Sequence, residues 1–170
     1  QAGIIVGKRS LIEKLKKNPL KRALRCDKVT LAALEAVLRL YASPETLAKR
    51  LPALRWLSRP HADIADQAQR LLPAMRQWAR DRATVSRIEV MGQIGSGSLP
   101  IERLPSEAIA FTPSGPARSA NRQLLILQRA LLNMPIPVIG RIHDNRLLID
   151  LRCLDEEQQL LEQLARDTTT

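Results

Sequence analysis

Arg22 and Arg25 are the side chains whose type and spacing most directly suggest chemistry. On a helix entered through Asn18-Pro19 they fall close together, on the face opposite Leu20, Ala23 and Leu24. Two planar guanidiniums near a helix N-terminus grip a phosphate-like anion through charge-assisted, partly bidentate bonds. The same pair on a solvated face would only carry charge, and spacing alone leaves both readings open. Gly95-Ser96-Gly97-Ser98 is the other suggestive stretch. It lacks the five-residue pattern of a serine nucleophile elbow and the Gly-Lys-Ser/Thr ending of a nucleotide-phosphate loop. A Gly-Ser turn presents backbone N–H groups to an anion, and a plain turn is the alternative.

The remaining reactive residues have less context. Cys26 sits beside Arg25 and one turn from Arg22, which favours a thiolate, but no His or Asn partner is identifiable. It reads as a small apolar residue. Lys8 and Lys28 have nothing near them in sequence that would make them carbonyl-reactive, so both read as solvated. His61 and His143 are the only histidines and have no His or Cys at ligand spacing, which argues against a metal site. His143 reads as an exposed turn residue. The two cysteines, Cys26 and Cys153, form neither a CxxC motif nor a disulfide framework, so a reduced, cytosolic setting is expected.

Composition narrows the classes further. The chain has 170 residues, 45% of them hydrophobic, enough for a core and too many for wholesale disorder. Its aromatic residues are only Tyr41, Trp56, Trp78 and Phe111, too few for a base-stacking single-strand platform. No apolar run approaches the ~20 residues needed to span a bilayer, and neither a membrane partner nor a signal peptide is expected. The formal charge is +10 and lies at one end. Residues 1–59 hold 14 basic and 4 acidic side chains, while residues 60–170 hold 13 of each. Such a field favours anionic partners, phosphate or nucleic acid; a solvated basic face is the alternative.

The elements that must position these residues are legible in outline. Ile4-Ile5-Val6, bounded by Gly3 and Gly7, predicts a buried strand, and a core strand this early suggests a chain cut from something longer. Ser10 with Glu13 predicts a capping box on a short helix. Leu31, Leu34, Leu38 and Tyr41 predict an amphipathic helix, and Ser43-Pro44 starts another. Residues 62–82 read as a long helical run with an interruption at Pro73. From Thr84 the texture becomes β-β-α-β-β-α. Val85–Met91 and Ala108–Thr112 read as strands, and 118–133 as a helix with Leu124, Leu127, Leu131 and Leu132 on one stripe. A hairpin turning at Asp144-Asn145 pairs Ile142 with Leu147, Gly140 with Ile149 and Val138 with Leu151. A closing helix opens at Asp155 with Leu160, Leu161 and Leu164 inward. The portion is expected to be α+β, with helices over one sheet face.

Several ordered stretches carry a family resemblance. These are Gln1-Ala2-Gly3-Ile4-Ile5-Val6-Gly7, Pro19-Leu20-Lys21-Arg22-Ala23-Leu24-Arg25-Cys26-Asp27-Lys28 and Thr30-Leu31-Ala32-Ala33-Leu34-Glu35. Gln93 to Pro100, Pro137 to Ile142 and Asp150 to Leu154 continue the series. Together they resemble bacterial selenocysteine synthase, L-seryl-tRNA(Sec) selenium transferase, from the first residue to about Leu164. The resemblance implies an α/β pyridoxal 5'-phosphate enzyme of the aspartate-aminotransferase type. Residues 1–83 would be the end of its large cofactor domain with connecting helices, and 84–170 its C-terminal small α+β domain. In the family the cofactor-bearing lysine precedes a Gly-Gly-Pro-Gln-Ala-Gly stretch that this sequence enters at Gln1. That lysine would lie upstream, leaving no catalytic residue in this chain and no activity of the chain alone.

By the same resemblance, Arg22 and Arg25 would hold selenophosphate, the selenium donor. Gln1 and Gly3 would lie near the cofactor phosphate of a neighbouring subunit in a homo-oligomer. Serine-charged tRNA(Sec) would be the other substrate. Two alternatives remain: another pyridoxal-phosphate enzyme of this fold acting on a free amino acid, or a basic nucleic-acid-binding module without catalysis.

Overall fold

A computed structural model of the chain describes residues 3–92, 103–115 and 117–168. In chain order the helices and strands are α1 (Arg9–Lys16), α2 (Lys21–Leu24), α3 (Lys28–Leu40), α4 (Pro44–Arg50), α5 (Pro52–Ser58), α6 (His61–Ala79), β1 (Ala83–Gly92), β2 (Leu104–Pro113), α7 (Ala117–Leu132), β3 (Arg141–His143), β4 (Arg146–Asp150) and α8 (Glu157–Thr168). They form two compact units, Gln1–Arg55 and Trp56–Thr170.

The second unit is α+β, built on a four-stranded antiparallel sheet in the order β1-β2-β4-β3. One sheet face, with Val85, Ile109, Phe111, Leu147 and Ile149, packs against Ile64, Leu71, Met75 and Trp78 of α6. Leu124, Leu127 and Leu131 of α7, with Leu160 and Leu164 of α8, complete this core. Burial of each such side chain contributes roughly 1.5–3 kcal/mol. Trp78 meets Phe111 edge-on, ring centroids 5.8 Å apart, and its indole N–H donates to Asp167 Oδ2 at 2.6 Å. Thus α6, which precedes the change of texture at Thr84, supplies a large share of the sheet's cover.

Local departures from the sequence reading have physical reasons. Pro73 does not interrupt α6. It and Gln69, whose carbonyl loses its N–H partner to the proline ring, are both exposed, so the proline sits on the solvent side of the helix. Leu132 is 41% exposed and leaves the α7 stripe. The hairpin pairs Ile142 with Leu147 as expected, through Asp144 and Asn145 at φ 48° and 55°. Its ladder stops at Arg141, so Gly140 and Val138 do not pair with Ile149 and Leu151. Gly140 instead lies against Leu147, where an added Cβ would come within 3.0 Å of the Leu148 carbonyl oxygen.

The first unit is helical and contains no buried residue among those described. The expected strand at Ile4–Val6 is irregular and exposed, with Val6 at 89%. A strand needs a neighbour for its N–H and C=O groups, and no strand is described in this unit. The Ser10–Glu13 capping box also does not form. Helix α1 begins two residues earlier, at Arg9 behind Lys8, and Glu13 pairs with Lys16 Nζ at 3.0 Å. Asn18 accepts from Leu20 N–H at 2.9 Å but does not cap α2, which begins only at Lys21, behind Leu20 and without a side-chain cap. Asp27 caps α3 by accepting from Thr30 N–H at 2.8 Å and Thr30 Oγ1 at 2.9 Å. The backbone N–H of Thr30 is the main cause holding the Asp27 carboxyl below its ordinary range.

Candidate functional site

Helix α2 has only four residues, and this changes the geometry of the arginine pair. Arg22 lies within it, whereas Arg25 is its C-cap with extended backbone at φ −70° and ψ 138°. The two therefore do not share one helical face as the spacing predicted. The chain leaves the helix after Leu24 because Asp27 starts α3 almost at once, and an N-cap residue requires extended backbone. Both arginines are exposed, and neither guanidinium has a hydrogen-bond or ion-pair partner among the described residues.

Arg25 lines an open cleft of about 560 Å³ within the first unit. Gly3, Lys16, Lys21 and Cys26 line it as well, over an apolar floor that includes Ile12 and Leu24. Arg22 is not among its lining residues, and neither is any acidic side chain. The structure thus brings Gly3 and Arg25 to one cleft and adds two lysines that sequence spacing did not single out. Lys21 is reachable in hindsight, since it stands four residues before Arg25. Lys16 comes in from α1, and only the fold reveals that. Lys21 and Arg25, with Lys16 already paired to Glu13, stand over an apolar floor and suit a small anion such as a phosphate. An added Cβ at Gly3 would meet nothing within 4 Å, so space alone does not require glycine there. Gln1 and the Gly95–Ser98 loop lie outside the described residues.

Other candidates resolve as structural. Cys26 is half-buried in the cleft with no His lining it. Cys153 is solvent-accessible, but partial burial and then the nearby Asp150 carboxylate push its thiol up, away from thiolate chemistry. Lys8 and Lys28 are exposed, and His143, expected in the turn, is the exposed last residue of β3, its Nε2 3.3 Å from Asp144 Oδ2. His61 is different: its Nε2 lies 3.1 Å from Oε1 of Glu107, whose side chain is only 2% exposed. Arg87 Nε approaches the other Glu107 oxygen at 3.6 Å.

Arg59 and Arg152 form a reciprocal clasp. Arg59 donates to the carbonyls of Leu151, Arg152 and Leu154, and Arg152 to those of Trp56, Arg59 and Pro105. Burial is the main cause pulling the Arg152 pKa down. No sequence signal marks these partners, which are more than 90 positions apart for the Arg59–Arg152 clasp. No group of three His, Cys, Asp or Glu side chains able to hold a metal occurs among the described residues. No described helix is long and apolar enough to cross a membrane.

Comparison with known proteins gives the site its context. The family pattern of L-seryl-tRNA selenium transferase matches residues 1–155. The chain is 56% identical over 166 residues to the L-seryl-tRNA(Sec) selenium transferase of Klebsiella pneumoniae (strain 342), covering 98% of this chain. It is 51% identical over the same length to the protein of that name from Salmonella paratyphi B (strain ATCC BAA-1250 / SPB7). In both cases the chain spans 35% of the relative's length. The match extends over nearly all of the sequence, and the chain belongs to the L-seryl-tRNA selenium transferase family.

Proposed function

We propose that this chain is part of a pyridoxal 5'-phosphate-dependent transferase. The whole enzyme converts seryl-tRNA(Sec) to selenocysteinyl-tRNA(Sec) with selenophosphate as selenium donor. The observation that carries this is 56% identity over 98% of the chain to a protein named for that activity. The chemistry of the described cleft supports it, because Lys21 and Arg25 are suited to an anionic donor. In this reading Arg25 and Arg22 hold the oxygens of selenophosphate by charge-assisted bonds, and Gln1 and Gly3 approach the cofactor's phosphate.

The cofactor, when bound, supplies the electron sink for proton and hydroxyl loss from the seryl group. The contribution of these arginines is to orient the donor and to keep its charge neutralised while selenium is delivered. Residues 1–83 are the end of an aspartate-aminotransferase-type large domain with connecting helices, and 84–170 its small domain. The whole enzyme is a cytoplasmic homo-oligomer.

The test uses the full-length protein loaded with cofactor and given radiolabelled selenophosphate with seryl-tRNA(Sec). Label should appear on the aminoacyl-tRNA and not on free serine. Transfer to the free amino acid alone, or RNA binding with no selenium transfer, would overturn the assignment.

A further inference from the structure

The two edges of the sheet are handled differently. Strand β3 at one edge has three residues, short enough to offer little to another chain. Strand β1 at the other has ten, paired with β2 at ten consecutive positions without a bulge, and contains no proline. Long regular edges of this kind are ordinarily covered or broken, because their free N–H and C=O groups template pairing.

Which residues turn outward follows from the hydrogen bonds. Ser114 N–H donates to the Arg82 carbonyl, continuing the ladder from Arg82 onward, so the even-numbered residues of β1 bond to β2. The odd-numbered ones direct their backbone groups away from the sheet. Arg76 Nε confirms this by donating to the Val85 carbonyl at 3.1 Å from the side away from β2. Beyond Val85 come Arg87 and Glu89, both exposed, with Ile88 half-buried between them on the opposite face.

We infer that the outer edge of β1 pairs antiparallel with the same edge of a second copy of this chain, about a two-fold axis through Ile88. That register is the self-complementary one. It sets Arg87 opposite Glu89 of the second copy and Glu89 opposite Arg87, both as hydrogen-bonded pairs, with opposite charges on the same face. Ile88 meets its own copy as a non-hydrogen-bonded pair, the closer kind, with Cα atoms about 4.5 Å apart. On that face Ile88 and Val90 already pack against Ala108, Ala110 and Leu148, so pairing extends one apolar strip across the axis. Arg76 occupies the Val85 carbonyl and thereby ends the new ladder on each side. Residues 56–170 carry 14 basic and 13 acidic side chains, so the +10 charge of the chain does not oppose this contact locally.

The test is disulfide trapping in the full chain with Cys26→Ser and Cys153→Ser. Ile88→Cys should form an intermolecular disulfide at least about tenfold faster than Thr84→Cys, whose copy lies about 27 Å away in this register. Glu89→Arg, which places like charges opposite each other twice, should weaken self-association about tenfold, and Arg87→Glu in the same chain should restore it. Arg87 also faces the buried Glu107, so the double variant is compared only if its far-ultraviolet circular dichroism is native. If it is not, the Ile88→Cys and Glu89→Arg results decide alone. Equal trapping rates for the two cysteines, or self-association indifferent to Glu89→Arg, would overturn the pairing.

Discussion

At the scale of residues, the proposed anion site makes the sharpest demand. In the full-length enzyme, Arg22→Ala or Arg25→Ala should each remove charge-assisted bonds worth about 1.5–3 kcal/mol. That is roughly a ten- to over a hundredfold loss in use of the selenium donor. Lysine should rescue poorly at either position, since it lacks the planar fork. Loss of water from the seryl group needs no donor and should be spared. The check is donor-dependent kinetics beside a donor-independent assay of that dehydration, and equal losses in both would withdraw the anion site. A second residue-level expectation concerns Glu157, which accepts from Arg70 Nε at 2.9 Å and Nη2 at 2.8 Å. The Arg70 bonds are the main cause holding its carboxyl below the ordinary 4.5. A depressed folded-state pKa gives stability that is complete above the unfolded value and drains away as pH falls through the folded one. Glu157→Gln should therefore lower the melting temperature at about pH 7, with the deficit vanishing near about pH 2. Arg70 is largely exposed, so the effect should be small. An equal deficit at both pH values would show that the ionised pair contributes nothing.

At the scale of elements, the β3–β4 hairpin is the most constrained piece. Its turn holds two non-glycine residues at positive φ, a conformation that costs roughly 1–2 kcal/mol for a residue without local polar compensation. Asn145→Ala should thus destabilise the second unit by about 1 kcal/mol, while Asn145→Gly should be near neutral. Gly140→Ala should be worse, because the intruding Cβ meets the Leu148 backbone oxygen at 3.0 Å, which cannot rotate aside. About 1–3 kcal/mol is expected, read from urea unfolding. If Gly140→Ala proves as mild as Asn145→Gly, that close approach does not constrain the hairpin. The hairpin was legible from sequence because a two-residue turn fixes its own register. Helix α2 was not: it starts at Lys21, two residues past the expected Pro19, and its early stop depends on Asp27 capping the next helix. Pro73 misled for a related reason: a proline is tolerated within a helix where it and the residue four before it lie on the exposed side, as here, and sequence does not show which side that is.

At the scale of the whole molecule, the two units differ in kind. The second buries Trp78, Phe111 and a continuous aliphatic core, while no described residue of the first is buried. Cooperative stability follows buried apolar contact, so amide exchange should be much slower in residues 138–152 than in 8–28. The opposite order would contradict this division. The whole chain should also take up no cofactor at one defined lysine: pyridoxal phosphate followed by borohydride should leave only scattered, substoichiometric labelling. Specific full labelling of Lys8, Lys21 or Lys28 would place the cofactor-bearing amine within these residues and overturn the expectation that it lies upstream.

Periodicity and turn chemistry, both local, were enough to determine the outline of the elements after Thr84, the Ile142–Leu147 pairing beside the hairpin turn, and the inward Leu124, Leu127, Leu131, Leu160 and Leu164. Ordered motifs spread over the length of the chain determined its family. Tertiary structure alone decided which cations share a cleft, since Lys16 reaches it from α1 and Arg22, three residues from Arg25, does not. It decided that α6 serves the sheet, because amphipathicity says that a helix has a buried face and not against what. It also decided the fate of Ile4-Ile5-Val6. Their β-propensity is a property of the residues, but a strand exists only where another strand takes its hydrogen bonds, and none is described in that unit.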